Sequence, residues 1–498
     1  MPQTGQKRIP MTIHQKTEPS TASGQPRTTQ PRGLWNLAFT EIWERFSYYG
    51  LQVALTYYLV DSLADGGLAL DPATAVSIVG AYGGSVYLSQ IIGAWLADRM
   101  LAPRTGVLCG AIIIMSGHIC LGLIPGMTGL AVGLGLIALG TGALKTNIAT
   151  IVGILYDGRD RIERDAGFSY FFLAINIGVI AGPILTGFLQ SRWGFQIAFL
   201  AAAIGMFLAL VQYSATFRTL PAAAAVVKNP ISPQRLAAVA VGAAGVIAIV
   251  ALLFRIRVIT DANMNYFVGL LIVIVVASYF AVMLRTDTIS PSEKRRVRGY
   301  IPMWVAEAVF YGLLLQIFTT VPLLVTDRVD LDVGGWTIPQ AWFSIVGSVA
   351  LVIVLPLMAS VWKDSAVGRL SSPMKFAVAL SVVGASYLLM LFSEFSPGRT
   401  VSPLLIAFCL IVAGVSEVLV GPVSFSLITR IAPERFRSQS VALTVLTLGA
   451  GSSLAGVLAV LYTKIPAAAF FCLNGILGLL GALLLAAAAR KIDTAMAA

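Results

Sequence analysis

Long apolar runs separated by short polar breaks fill the chain from Trp35 onward. About fourteen of them come near or exceed the ~20 residues that a membrane-crossing helix needs. The first six are Trp35–Val60, Ala73–Ala97, Thr105–Ile124, Gly129–Tyr156, Gly167–Gln190 and Phe195–Phe217. A pair follows at Leu236–Phe254 and Met264–Leu284. The last six are Tyr300–Val325, Ile338–Trp362, Phe376–Phe392, Leu404–Ile428, Val441–Tyr462 and Ala467–Ala489. The pattern predicts an all-α polytopic membrane protein with two six-helix bundles, residues 34–218 and 299–490, joined by a linker, 219–298, that carries the inserted pair. Residues 1–33 are rich in Thr, Gln, Pro and Ser and lack an apolar core, which predicts a disordered tail rather than a signal peptide. Residues 491–498 are expected to form a second tail.

Composition agrees with that pattern. Of 498 residues, 57% are hydrophobic and 11% charged, too few charges to coat several water-soluble domains. The net charge of +11 would suggest nucleic acid in a soluble protein, but here the basic residues sit in short loops. Alternate loops hold Arg99 and Arg104, then Arg159, Arg161 and Arg164, then Arg218, Lys228 and Arg235. Beyond the inserted pair they hold Lys294, Arg295, Arg296 and Arg298, then Lys363 and Arg369, then Arg430, Arg435 and Arg437, and finally Arg490 and Lys491. The opposite loops are poor in base, with Asp61, Asp65 and Asp71 in the first and Asp327, Arg328, Asp330 and Asp332 in another; Arg255 and Arg257 break the alternation. Basic loops stay cytoplasmic, so both termini are expected there. Two halves around a basic segment fit the parallel-repeat plan of major facilitator transporters, whose substrate site lies near the midplane between halves. Cys109, Cys120, Cys409 and Cys472 fall in apolar stretches at no ligand-like spacing, and His118 lies far from His14 in the tail, so neither a disulfide framework nor a metal site is expected.

Charges inside the spans narrow the chemistry. Glu41, Glu44 and Arg45 stand at i, i+3 and i+4 and share one helical face. Each costs about 2.5–3.5 kcal/mol at mid-bilayer, so the face must border a polar cavity. A structural Glu41–Arg45 pair would leave Glu44 unexplained, whereas an acid–acid–base cluster can hold one exchangeable proton. Lys145, in the small-residue run Gly140–Thr141–Gly142–Ala143, and Glu417, in the opposite half, are expected to meet across the cavity in one transport state and part when substrate arrives. Glu307 falls nearer the cytoplasmic end of its span, where interfacial water could serve it. Asp98 and Arg99, closing the second span, are expected to brace neighbouring helix ends.

The segment Glu41-x-x-Glu44-Arg45-Phe46-Ser47-Tyr48-Tyr49-Gly50 resembles the signature of the proton-dependent oligopeptide transporter (POT) family of the major facilitator superfamily. Val86–Arg99, Gly140–Asn147, Phe168–Gly178 and Glu417–Arg437 are similar to further motifs of that family, and two inserted helices are usual in its bacterial members. The resemblance implies proton-driven symport of di- and tripeptides by alternating access in a bacterial inner membrane, by a monomer without cofactor or nucleic-acid partner. It also implies that Arg45 and Lys145 face the peptide carboxylate, that Glu417 and Asn176 face the amino end and backbone, that Tyr48, Tyr49 and Tyr87 line the pocket, and that Glu41, Glu44 and Arg45 couple protons. Gln316 joins the substrate-binding candidates as the neighbour of Leu315, which stands where the family has an acid. Gln52 replaces a basic residue, Gly347 an asparagine, Thr444 a tryptophan, and Thr146 a proline after Lys145. These departures leave open a same-fold transporter of another carboxylate-bearing metabolite, modified peptide or drug-like compound, and a receptor that binds without transporting. Without a phosphate-binding loop or a nucleophile–base arrangement, no enzyme is expected.

Overall fold

The computed structural model describes residues 30–497 except 160, 228, 362–364, 366–367 and 396–399. The expected tail before residue 30, Lys228 and the loop residues Trp362 and Lys363 lie outside the described residues. The first half comprises α1 (Arg32–Val60), α2 (Pro72–Arg99), α3 (Pro103–Leu123), α4 (Gly126–Leu155), α5 (Arg161–Trp193) and α6 (Phe195–Ala215). Then come α7 (Pro233–Arg255) and α8 (Met264–Arg285), followed by α9 (Pro291–Leu314), α10 (Thr320–Arg328), α11 (Phe343–Val361), α12 (Ser372–Met390), α13 (Pro403–Ser416), α14 (Gly421–Ile431), α15 (Arg437–Tyr462) and α16 (Ala467–Ala497). A two-stranded hairpin, β1 (Asp332–Val333) and β2 (Trp336–Thr337), decorates the loop after α10; its turn is made by Gly334 and Gly335 at positive φ.

Local chemistry fixes the helix starts. Asp71 accepts the Thr74 amide at 3.0 Å ahead of Pro72, and Ser290 and Glu293 form a capping box around Pro291. Two spans expected to be continuous are interrupted. Pro322 and Pro422 lack an N–H and crowd the carbonyls four residues earlier, so the seventh main span breaks between α9 and α10 and the tenth between α13 and α14. The carbonyl freed by Pro322, that of Phe318, accepts the Thr56 hydroxyl at 2.5 Å. At the other terminus, residues expected to form a tail continue α16 as far as Ala497.

Two large hydrophobic cores result, with a small third cluster of Val76, Leu323, Ala459 and Val460 bridging the halves. One joins α1–α4 and α6, with Leu55, Phe195, Phe199 and Tyr213 among its buried members, and the other joins α8–α16, with Phe310, Phe376, Phe470 and Phe471. The halves meet where α2 packs along α15 and α5 against α11. At the end remote from the termini they are stitched together: besides the Thr56 bond, Tyr57 Oη donates to the Gln340 carbonyl at 3.2 Å and Trp342 Nε1 to the Ile184 carbonyl at 3.3 Å. The inserted pair is unequal. α8 lies against both α2 and α15, with Asn265 Nδ2 donating to the Ser453 carbonyl at 2.8 Å, whereas α7 has no buried residue.

Glycine lets α4 touch α2. A Cβ on Gly142 would strike the Ser89 carbonyl, while one on Gly135 of the same helix would meet open space. Gly142→Leu should therefore abolish a monodisperse size-exclusion peak and Gly135→Leu leave it intact; equal behaviour would show that the contact does not constrain the bundle. Just beyond α1, Asp61 lies half-buried in a cavity of about 840 Å³ where the halves meet, and burial, with Asp65 beside it, pushes its carboxyl up to about 6. A raised carboxyl makes the folded state lose stability as pH rises from about 4 through about 6. Asp61→Asn should thus raise the thermal midpoint at pH 7.5 and leave it unchanged at pH 4.

Candidate functional site

The first helix presents Glu41, Glu44 and Arg45 on one face, as their spacing predicts. Arg45 Nε lies 3.0 Å from Glu41 Oε1 and 3.2 Å from Glu44 Oε2. The close α2–α4 approach at Gly142 helps place Lys145 against the same two acids. Its ammonium pairs with Glu41 Oε1 and lies 2.6 Å from Glu44 Oε2. The result is a compact quartet of two carboxylates and two cations. Its carboxylates are 3% and 1% exposed, whereas Arg45 and Lys145 keep 18% and 11%, so the cations form its accessible edge. Glu44 is held by charge more than by directed hydrogen bonds, since neither of its oxygens has a well-aligned donor.

Aromatic rings enclose that edge. The Arg45 guanidinium lies 5.9 Å from the ring centroids of both Tyr48 and Tyr49, which pack edge to face at 5.1 Å. Tyr82, which sequence reasoning did not single out, stands 6.4 Å from Tyr48. From the other half, Glu417 lies within electrostatic range of Tyr49 and Tyr87, and also of Tyr311, a further residue not anticipated. For Tyr311 the available signal was its place four residues beyond Glu307, on the same helical face, whereas no spacing singled out Tyr82.

Several candidates are placed differently from expectation. Lys145 does not meet Glu417 in this conformation, because the Glu41/Glu44 pair offers it two carboxylates on its own side. Among the described residues Glu417 has no ion-pair partner, and it sits at the turn where Gly421 and Pro422 interrupt the helix. Gln316 faces away into the second half, donating to Asn474 Oδ1 at 2.9 Å and accepting from Thr320 Oγ1 at 2.9 Å, so its amide is already satisfied. Asn176 donates to the Phe172 carbonyl of its own helix at 2.8 Å. Asp98 and Arg99 are exposed, and it is their backbone carbonyls, accepting from Asn229 and Ile231, that hold the linker.

Glu307 does not reach interfacial water. It is 1% exposed and accepts from Ser424 Oγ at 2.7 Å, in a polar seam with Tyr300 and Thr444, which pair at 2.8 Å. Nine residues beyond Arg298 put it roughly 13 Å farther along the helix, arithmetic the sequence already allowed. Thr444 belongs to this seam, and Gly347 packs backbone to backbone on α13, where a Cβ would lie 2.9 Å from the Leu410 carbonyl. Gln52 is buried.

Comparison with known proteins extends the similarity to the whole chain. The sequence model of the POT family matches residues 104–476. A di-/tripeptide transporter of Lactococcus lactis subsp. cremoris is 33% identical over 471 residues, 92% of this chain and 94% of the relative. The uncharacterized transporter YclF of Bacillus subtilis (strain 168) is 34% identical over 460 residues, 91% of this chain and 93% of its own. The crystal structure of a peptide transporter POT in complex with sulfate superposes with a TM-score of 0.89 at 36% identity, covering 95% of this chain and 97% of that one.

Removing one member of a buried ionic group strands its partners. Lys145→Ala should lower the thermal midpoint of the purified protein by the equivalent of about 3–5 kcal/mol, and adding Glu41→Gln should recover much of the loss. A double variant no more stable than Lys145→Ala would show that the lysine does not hold Glu41.

Proposed function

The chain belongs to the POT family and is a membrane transporter rather than an enzyme, and from that premise we propose that it imports di- and tripeptides together with protons by alternating access. The observation that carries this reading is the ion quartet on α1 and α4, with Glu417 on the opposite half and tyrosines between. A zwitterionic peptide needs cations at one end, an anion at the other and an adaptable wall between them. Arg45 and Lys145 supply the first, Glu417 the second, and Tyr48, Tyr49 and Tyr87 the third. A guanidinium fork suits a carboxylate because it can donate two bonds at once. The Lactococcus relative, a di-/tripeptide transporter, supports the same substrate class.

The quartet also gives proton coupling a physical basis. While both acids are ionised they neutralise Arg45 and Lys145, and the substrate carboxylate has no free cation to bind. One proton on the Glu41/Glu44 pair leaves a positive charge in excess, which the substrate carboxylate takes up. Loss of that proton lets the acids reclaim the cations and expel substrate. Asn176, Asp98 and Arg99 take supporting roles, the first beside the peptide backbone and the other two at the gate. The basic residues at the helix ends nearest the termini support a cytoplasmic location for that face in a bacterial inner membrane. The bonds that stitch the opposite end support an inward-facing reading of this conformation.

One proton entering down 100 mV carries about 2.3 kcal/mol, enough for roughly fifty-fold accumulation at one-to-one coupling. In proteoliposomes with an acid exterior, the wild-type chain should accumulate dipeptide, and Glu44→Gln should lose that accumulation while counterflow exchange survives. Equal proton-driven uptake by the two would sink the coupling assignment, and absence of any dipeptide flux in the wild-type chain would sink the substrate assignment.

A further inference from the structure

One buried carboxyl has no part in the transport chemistry described so far. Glu307 on α9 is 1% exposed, accepts from Ser424 Oγ at 2.7 Å and has the Thr447 hydroxyl beside it. Both neighbours are neutral. Among the described residues no ion pair involves Glu307, and the nearest cation along its own helix, Arg298, is roughly 13 Å away. The titratable groups in range are Tyr300 and Tyr311 of the same helix. α14 and α15 turn only hydroxyls toward it, and no charged group faces it from α8, α12 or α16 among the described residues.

The contrast with the quartet decides what this carboxyl can do. Glu41 and Glu44 each lie against two cations, whereas a carboxylate buried without one is so costly that the group holds a proton instead. Its surroundings can change that balance. Ser424 lies two residues past Pro422 on α14, so its bond to Glu307 ties the seventh main span to the far side of the break in the tenth. From Ser424 the hydroxyls continue toward the terminal face: Tyr300 is within reach of Ser424 and pairs with Thr444 at 2.8 Å. One turn farther from that face, Tyr311 is within electrostatic range of both Glu307 and Glu417.

We propose that Glu307 is a second proton-binding site, which carries one proton inward in each transport cycle in addition to the proton on the Glu41/Glu44 pair. This rests on the reading of the chain as a proton-driven peptide importer. The proton reaches a Glu307 oxygen from the substrate cavity, past Tyr311, while that cavity is open outward. A dry Glu307 keeps it, as in this conformation. When α14 swings at the break and water follows along Ser424, Tyr300 and Thr444, the ionised carboxylate is hydrated and the proton leaves to the cytoplasm. One proton is bound and one released, so the site ends each cycle as it began.

The test uses the full chain in proteoliposomes. Infrared difference spectra at pH 7 should show a neutral-carboxyl band in wild type that Glu307→Gln lacks. With the membrane potential clamped at zero and a pH step of one unit, dipeptide accumulation should fall roughly tenfold in Glu307→Gln, the worth of one coupled proton, while counterflow exchange survives. Glutamine still accepts from Ser424, so the contact between spans is kept. Ser424→Ala, which removes the bond and leaves the carboxyl, should retain the wild-type accumulation ratio, whereas a purely structural contact would make it the more damaging change. Glu44→Gln still abolishes net uptake, because its substrate gate no longer resets whatever Glu307 carries. A band unchanged by Glu307→Gln, or equal accumulation in the two chains, overturns the proposal. Absence of dipeptide flux in wild type would instead sink the substrate reading, and the infrared band would then decide the proton site alone.

Discussion

A charge taken out of water within a membrane is costly unless it is paired, and the quartet of Glu41, Glu44, Arg45 and Lys145 pairs four of them within one half of the molecule. Much else is arranged around it. α1 can carry three ionised residues because α4 delivers a fourth, and α4 can do so because glycine replaces bulk where it meets α2. The acids are the buried members and the cations the accessible ones, so the group presents its positive edge to whatever enters. Glu417 has no cation of its own among the described residues.

The interrupted helices serve the same economy of polar groups. Prolines at 322 and 422 free backbone carbonyls that an unbroken helix would consume, and one of them, on Phe318, is used to fasten the first half to the second. Transporters of the parallel-repeat class commonly build their sites where helices are discontinuous. Here both breaks fall near the site, one against α1 and the other beside Glu417.

Much of the architecture was legible in the chain because a bilayer restricts the solutions: apolar length sets the spans. The shared face of Glu41, Glu44 and Arg45 followed from helical periodicity alone. Partner choice did not. Lys145 could be seen to need an acid, but which acid depends on distances between helices that no periodicity encodes, and the nearer pair on α1 takes it in place of Glu417. Gln316 illustrates the same limit, since it lies past Leu314, the last residue of α9, and the break there turns its amide to Asn474. Gly347 and Thr444, which stand where the family has an asparagine and a tryptophan, serve contacts between helices, where a small or hydroxylated residue has its own use.

The meeting of α2 with α15 is lined by small residues: a Cβ on Gly80 would lie 2.8 Å from Gly456 Cα, and one on Gly84 would lie 2.6 Å from Ser453 Oγ. Smooth surfaces of this kind work as a bearing. No knob has to leave a socket for one helix to roll on the other, and α8, clasping both, keeps the axle in place. Tilting one half on the other then has little interlocked bulk to dislodge here beyond Asn265, wedged between Gly80 and Gly456, and the small cluster of Val76, Leu323, Ala459 and Val460.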